Sequence, residues 1–308
     1  MYEKIVLVTR KTRLQQLVER FNSRGQARFY IEHAGGDFGD YQREDDAYAR
    51  ALDTVHRRLD LGVRLQLVER RLVPTFLFAP RDVVVTIGQD GLVANVAKYV
   101  GAQPLVPVNP DPERFDGQLL PFGVAQARAA VARVLDGTAR RRPVTLAEVR
   151  LDDGQRLLAF NDLFIGARSH VSARYAIGTG GDAALEAQSS SGVIVSTGAG
   201  STGWLSSVFN MAAAVAAFTG GTAGTPPTLA WDDPRLVYVV REPFVSKHSR
   251  AGVVAGLIAP GASLTIRSQM PTDGVIFSDG VEADALAFGS GAVAHIGAAA
   301  QRTQLVVA

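Results

Sequence analysis

Residues 83–92 read Val-Val-Val-Thr-Ile-Gly-Gln-Asp-Gly-Leu. A continuous apolar, β-branched run of this length is the pattern of a strand buried on both faces, as in a parallel sheet. It breaks at Gly88, and Leu92, Val93, Val96, Ala97 and Val100 then recur at helical spacing. The stretch therefore predicts strand, tight turn and helix. Asp90 is placed at the carboxyl end of the strand and at the mouth of a helix. Open α/β sheets bind ligands at that edge, and helix N-termini favour phosphate. A carboxylate held between glycines there can take the proton of a hydroxyl that attacks phosphorus.

Working outward, the first half repeats the strand–helix alternation. Residues 5–8 and 63–68 read as strands, residues 27–31 as a further strand candidate, and residues 104–108 as a strand ending at Asn109. Thr12 opens a helix, with Gln15 placed to complete a capping box. Residues 41–59 form a charged amphipathic helix, and residues 124–135 a second one stopped by Asp136-Gly137. This alternation predicts a parallel sheet with helices on both faces. The pattern changes at Arg140-Arg141-Arg142-Pro143. Beyond it come short strands at turn spacing: a hairpin over residues 144–160 turning at Asp152-Asp153-Gly154, and turn signals at residues 178–182 and at Asp279-Gly280. One helix, residues 203–218, interrupts them, followed by a loop over 219–228. The expected organisation is an α/β domain over residues 1–142 and a β-rich domain over 143–308, whose last segment can pack back on the first.

Composition narrows the function. Of 308 residues 47% are apolar and 20% charged, the balance of a folded chain with sizeable cores. A net charge of +2 argues against a general nucleic-acid clamp. With no cysteine, thiol catalysis and cysteine metal sites are excluded, and five histidines without ligand-like spacing argue against a zinc site. The N-terminal residues enter a strand without a signal-peptide core, and no apolar run reaches the roughly 18 residues of a membrane span. A cytoplasmic protein with no membrane partner is the expectation.

Four segments carry polar chemistry at strand ends. Gly88-Gln89-Asp90-Gly91 is the first. Asn109-Pro110-Asp111-Pro112-Glu113-Arg114 leaves the next parallel strand at the same edge. Asn161-Asp162 follows the apolar run 157–160, and such a pair can hydrogen-bond a base or ribose and help hold Mg²⁺. Ser196-Thr197-Gly198-Ala199-Gly200-Ser201-Thr202-Gly203-Trp204 follows a strand and opens a helix. Its glycines expose backbone N–H groups, Ser201 and Thr202 add hydroxyl donors, and Trp204 can stack on a nucleobase. Each segment alone also fits a plain turn, and Trp204 also fits a core position.

Taken in order, the four segments resemble the NAD kinase superfamily, which also holds diacylglycerol and sphingosine kinases. The likeness covers roughly residues 80–300. The family's Gly-Gly-Asp-Gly motif is matched at residues 88–91, its Asn-Glu pair at Asn161-Asp162, its glycine-rich Thr-Gly-Ser segment at Thr197 to Trp204, and a later Asp-Gly at Asp279-Gly280. The Asn109–Arg114 segment and Ser190-Ser191-Gly192 resemble the mitochondrial-type branch and related bacterial proteins. Three positions depart: Gln89 stands for glycine, Leu92 for threonine and Asp162 for glutamate.

The resemblance implies the NAD kinase/diacylglycerol kinase-like two-domain fold, with a site in the crevice between the domains. It implies a homodimer or higher homo-oligomer, and transfer of the γ-phosphoryl of ATP, with Mg²⁺, to the 2′-hydroxyl of NAD. Asp90 is then the catalytic base. Gly88, Gly91, Asn109, Ser201 and Thr202 line the donor, and Asn161, Asp162, Thr197, Trp204 and Asp279 bind the acceptor. Arg174 is a candidate for the dinucleotide pyrophosphate or for a surface ion pair, and Lys247, His248 and Arg250 are weaker candidates. No metal is expected to be held by protein ligands alone. Two rival readings are a kinase of another small hydroxyl substrate, a sugar or nucleoside, and a non-catalytic nucleotide-binding sensor.

Overall fold

The computed structural model describes residues 2–180 and 185–308. The predicted turn at 178–182 thus lies partly outside the described residues. The chain forms two compact units, residues 1–142 with 304–308, and residues 143–303.

In the first unit β1 (Lys4–Thr9) leads into α1 (Arg13–Phe21), whose capping box is formed by Thr12 and Gln15. Then come α2 (Arg24–His33), α3 (Phe38–Arg58), β2 (Arg64–Glu69), β3 (Asp82–Ile87), α4 (Asp90–Ala97), β4 (Pro104–Asn109), the two-residue β5 (Phe122–Gly123) and α5 (Ala127–Leu135). The strands are parallel in the order β4-β3-β1-β2, and Gln304 and Leu305 add to β4. Ile5, Leu7, Val83, Val85, Val106 and Val108 pack on Tyr48, Ala51 and Val55 of α3 and on Ala130 and Val131 of α5. Every residue of β3 and β4 is buried, which is why both read as unbroken apolar runs.

Residues 27–31, read above as a strand candidate, are helical. Ser23 caps α2 by accepting the Gln26 N–H at 3.1 Å, and Ala27 and Ile31, one helical turn apart, are its buried positions. They pack with Leu14 of α1. The aromatic and β-branched content of Arg28-Phe29-Tyr30-Ile31 suggested a strand, but the cap and the four-residue spacing decide the structure.

In the second unit β6 (Arg141–Leu151) and β7 (Arg156–Ala159) form the predicted hairpin. They are followed by β8 (Asp162–Ala167), β9 (Ala173–Gly178), β10 (Glu186–Ser190), β11 (Val193–Ser196), α6 (Trp204–Phe218), β12 (Leu236–Val240), β13 (Ala255–Ile258), β14 (Leu264–Ser268), β15 (Gly274–Ser278), β16 (Val281–Ala287) and β17 (Val293–Val306). One antiparallel sheet runs β13-β12-β11-β8-β15-β16. A second runs β10-β9-β14-β17, with β6 on β17. Their inner faces share a core in which Leu163, Ile165, Val193 and Val195 meet Tyr175, Ile177, Ile266 and Ile296. On the outer face of the first sheet, Leu205 of α6 packs with Val237 and Val239 of β12. Among the described residues no helix is long and apolar enough to cross a membrane.

Candidate functional site

In the first unit the chemistry gathers where the parallel strands end. Val8 pairs with Thr86 and Ile87 with Val108, so Arg10, Gly88 and Asn109 emerge at one sheet edge. Asp90 is the first residue of α4, one position further into the helix than the sequence pattern implied, and Gln89 is the N-cap without a side-chain bond to the helix. Asp90 Oδ1 accepts the Leu119 N–H at 2.8 Å, which ties the catalytic candidate to the loop after β4. That loop is fastened from within. Asn109 Nδ2 donates to the Phe115 carbonyl at 3.0 Å, and its Oδ1 accepts the Asp111 N–H at 3.0 Å. The amide of Asn109 is therefore engaged in shaping the loop.

Gly88 has a steric role. A Cβ there would stand 2.7 Å from Cδ2 of Leu92, which is buried against the turn. The Gly88 N–H is bonded to the Val108 carbonyl at 3.2 Å, so it is not available to a ligand. At Gly91, by contrast, nothing lies within 4 Å of a Cβ position. The Leu92 N–H is bonded to the Gln89 carbonyl at 2.8 Å, which leaves the Asp90 and Gly91 N–H groups as those able to face an anion here.

Arg10 is a further candidate at this edge that sequence reading missed. It follows the apolar strand directly, so the strand-end argument applied to Gly88 and Asn109 also points to it. Its side chain is only 8% exposed and pairs with the buried Glu44 at 3.1 Å. Its Cδ lies 3.5 Å from the Cβ position of Gly88, its guanidinium stacks over Tyr48 and Phe115, and its buried Nε has no hydrogen-bond partner. Glu44 also pairs with Arg13, Arg13 with Asp40, and Asp40 with Arg114. Hydrogen bonds from Arg114 and Arg13 hold Asp40 well below the usual carboxylate range. Arg114 of the proline-rich segment thus fastens the loop to the start of α3.

In the second unit three of the singled-out segments meet at one end of three neighbouring strands. Asp162 opens β8 and pairs with Ser196 at the end of β11, while Ser278 at the end of β15 pairs with Leu163. Asp279 and Gly280 both have positive φ, the two-residue hairpin turn that asparagine, aspartate and glycine favour. The Asp279 carboxylate accepts the N–H groups of Phe160 at 3.0 Å, Asn161 at 2.7 Å and Asp162 at 3.3 Å. Thr197 Oγ1 donates to the Phe160 carbonyl at 2.6 Å and accepts the Gly200 N–H at 3.2 Å. Thr197 and Asp279 therefore hold the 160–162 turn in place with their own polar atoms.

Asp162 is buried, and its carboxylate forms no hydrogen bond with any described residue. Burial first, and the negative charge of Asp279 second, push it up to about 7. Near neutral pH it can therefore present a carboxylic acid or a carboxylate to a ligand. Asn161, half-buried beside it, makes no side-chain hydrogen bond with any described residue.

The glycine-rich segment leaves Ser196 as a tight turn in which Ser201 Oγ donates to the Gly198 carbonyl at 2.7 Å. The Thr202 hydroxyl is exposed and makes no bond. Trp204 stacks on Phe164 at 5.5 Å and lies near Phe277, with the Arg241 guanidinium 5.5 Å from its ring. Its ring is half-buried packing on the outer face of the sheet. Phe164, Phe277 and Arg241 were not singled out from sequence because their meeting depends on strand order. Arg174 stands exposed on β9, in the other sheet, and makes no bond to this cluster.

Gly200 makes a close approach to backbone within the cluster. A Cβ there would lie 2.2 Å from the Asn161 carbonyl oxygen. Gly200→Ala is expected to cost about 2 kcal/mol of stability through overpacking against backbone that cannot yield. Gly91→Ala, in open space at a helical position, should cost nothing. Paired urea titrations check this, and equal midpoints for the two variants would contradict the packing described.

No protein-family model matches the sequence, and no curated protein is significantly similar to it. Solved structures do match. The yeast NADH kinase in complex with NADH superposes with a TM-score of 0.59 at 16% identity, over 100% of this chain and 84% of that one. An NAD kinase from Archaeoglobus fulgidus in complex with ATP gives 0.55 at 16% identity, over 98% and 93%. The chain has the two-domain fold of NAD kinases and diacylglycerol kinase-like proteins, an α/β unit with a parallel sheet and a β-rich unit.

Proposed function

We propose that the protein is a phosphotransferase that moves the γ-phosphoryl of ATP to the 2′-hydroxyl of NAD, giving NADP. The observation that carries this reading is Asp90: a carboxylate in the first turn of α4, at the carboxyl edge of β3, with one oxygen fixed by the Leu119 N–H. Asp90 accepts the proton of the acceptor hydroxyl as its oxygen bonds to phosphorus and ADP leaves. The Asp90 and Gly91 N–H groups opening α4 face the donor phosphates, beside the open space at Gly91. Asn161 and Asp162, unbonded and fixed by Asp279 and Thr197, recognise the acceptor nucleoside. Ser201, Thr202, Trp204 and Arg174 are the remaining ligand candidates, and Arg10 balances charge at the strand edge.

Among the described residues no group of three or more His, Asp or Glu side chains converges as a metal cage. Mg²⁺ carried on nucleotide phosphates commonly binds through few protein carboxylates. Its contribution when bound is neutralisation of phosphate charge.

The test incubates the protein with ATP, Mg²⁺ and NAD and follows NADP through a coupled dehydrogenase. NADP formation is expected. Transfer only to a sugar or nucleoside would replace NAD as acceptor, and nucleotide binding without any transfer would replace the kinase with a sensor.

A further inference from the structure

The segment after β12 builds a second polar site in the β-rich unit. It runs beside β10, the edge strand of its sheet, with the Phe244 N–H on the Ser189 carbonyl at 2.8 Å and the Arg250 N–H on the Ala187 carbonyl at 3.0 Å. Between these anchors the chain folds into a turn bonded to itself. Ser246 Oγ accepts the N–H groups of His248 at 3.1 Å and Ser249 at 3.2 Å, the Ser246 N–H reaches the Ser249 carbonyl at 3.0 Å, and Ser249 Oγ donates to the Phe244 carbonyl at 2.6 Å. A cavity of about 550 Å³ opens against this turn, lined by Glu186, Ser246, Lys247, His248, Ser249 and Arg250 among others. That size is within the range of small-ligand sites.

Basic side chains outnumber acidic ones around this cavity. Lys247, His248 and Arg250 form no ion pair and no side-chain hydrogen bond with any described residue, whereas Arg10, Arg13, Arg114 and Arg235 are all paired. The acid on the wall, Glu186, attracts Arg250 without forming an ion pair with it, and its oxygens are already bonded to other groups. Its carboxylate accepts the Gly252 N–H at 2.9 Å, the Val253 N–H at 3.1 Å and the Gln188 amide at 2.6 Å. Lys247 and Arg250 stand within four positions on a turn whose backbone is held by its own hydrogen bonds. An anion entering the cavity meets two cationic donors whose backbone is already ordered. The location separates this cavity from the cluster around Asp162. The glycine-rich segment leaves β11 at Ser196, opposite Val237, whereas the basic turn follows the other end of β12, where Val240 faces Val193.

We propose that this cavity is a binding site for the phosphate group of a soluble phosphorylated small molecule, held by Lys247 and Arg250 with His248 at its rim. The proposal does not depend on the kinase reading. Its test is calorimetric titration of the full chain with inorganic pyrophosphate. The unaltered protein is compared with the double variant Lys247→Ala/Arg250→Ala. Both altered side chains are exposed, and the Arg250 backbone bond survives substitution, so thermal melting should be unchanged. The expected result is saturable binding that weakens by about tenfold or more in the double variant, a loss in keeping with two charge-assisted contacts. Equal affinity in the double variant, which places the anion elsewhere, or no binding at millimolar pyrophosphate would each overturn the proposal. Restoration by Arg250→Lys, where charge returns without the guanidinium fork, would assign the effect to charge; a failure to restore with folding intact would assign it to the arginine fork.

Discussion

Asp90→Asn should lower kcat by about 10²–10⁴-fold, the range in which a positioned general base contributes. The substitution isolates that role. Asparagine keeps an oxygen for the Leu119 N–H, the one hydrogen bond that Asp90 Oδ1 makes, so the loop after β4 retains its anchor. It also keeps the shape of the first turn of α4. The proton acceptor is lost, and so is a negative charge near the donor phosphates. KM for the nucleotide donor should therefore hold or fall slightly while kcat collapses. Steady-state kinetics with donor and acceptor varied in turn give the two parameters separately. A variant with near-normal kcat would remove Asp90 from the chemistry and leave it as the residue that fastens residue 119.

What was legible in the sequence was local. The strand β3, the turn at Gly88 and the helix after it are written in ten consecutive residues, and all of β3 is buried as the run implied. The capping box at Thr12 and the hairpin turn at residues 152–154 were equally local. The helix over Arg24–His33 was misread because its aromatic residues are exposed. Phe29 and Tyr30 face outward, and only Ala27 and Ile31 report the core. Arg10 escaped notice for a different reason: its partner Glu44 lies 34 residues away, and its neighbour Gly88 lies on another strand. The role of Asp279 is the clearest case. As a dipeptide, Asp279-Gly280 is a turn. Only the antiparallel register of β8 and β15 brings its carboxylate onto the N–H groups of residues 160–162. Motif residues were thus visible as types, while the distinction between those that can meet a ligand and those that hold others in place required the fold.

That distinction has a measurable consequence at Asp162. The folded-state pKa is pushed up to about 7, by burial and then by Asp279, whereas the unfolded chain titrates near the ordinary carboxylate value. Between those values the folded protein holds a proton that the unfolded chain has released. Stability from this group is therefore full below about pH 4, falls as pH rises through the window, and reaches its lowest level above pH 7. The cost of ionising the buried group is on the order of 4 kcal/mol.

Asp162→Asn removes the titration with little change of shape. The variant should match the unaltered protein near pH 4 and exceed it by several kcal/mol at pH 8. Asp40 and Glu44, both held low by arginines, titrate with the opposite sign at acid pH, but they are common to both proteins and cancel in the difference. Urea titrations of both proteins at pH 5, 6, 7 and 8 provide the curve. Parallel stability profiles would show that Asp162 ionises freely and is not the strained carboxylate described. A widening gap would mean that the fold maintains a costly, unpaired acid beside Asn161. A residue kept at that cost gains its compensation from a ligand, so acceptor affinity in the unaltered protein should change across pH 6–8 and become flat in Asp162→Asn.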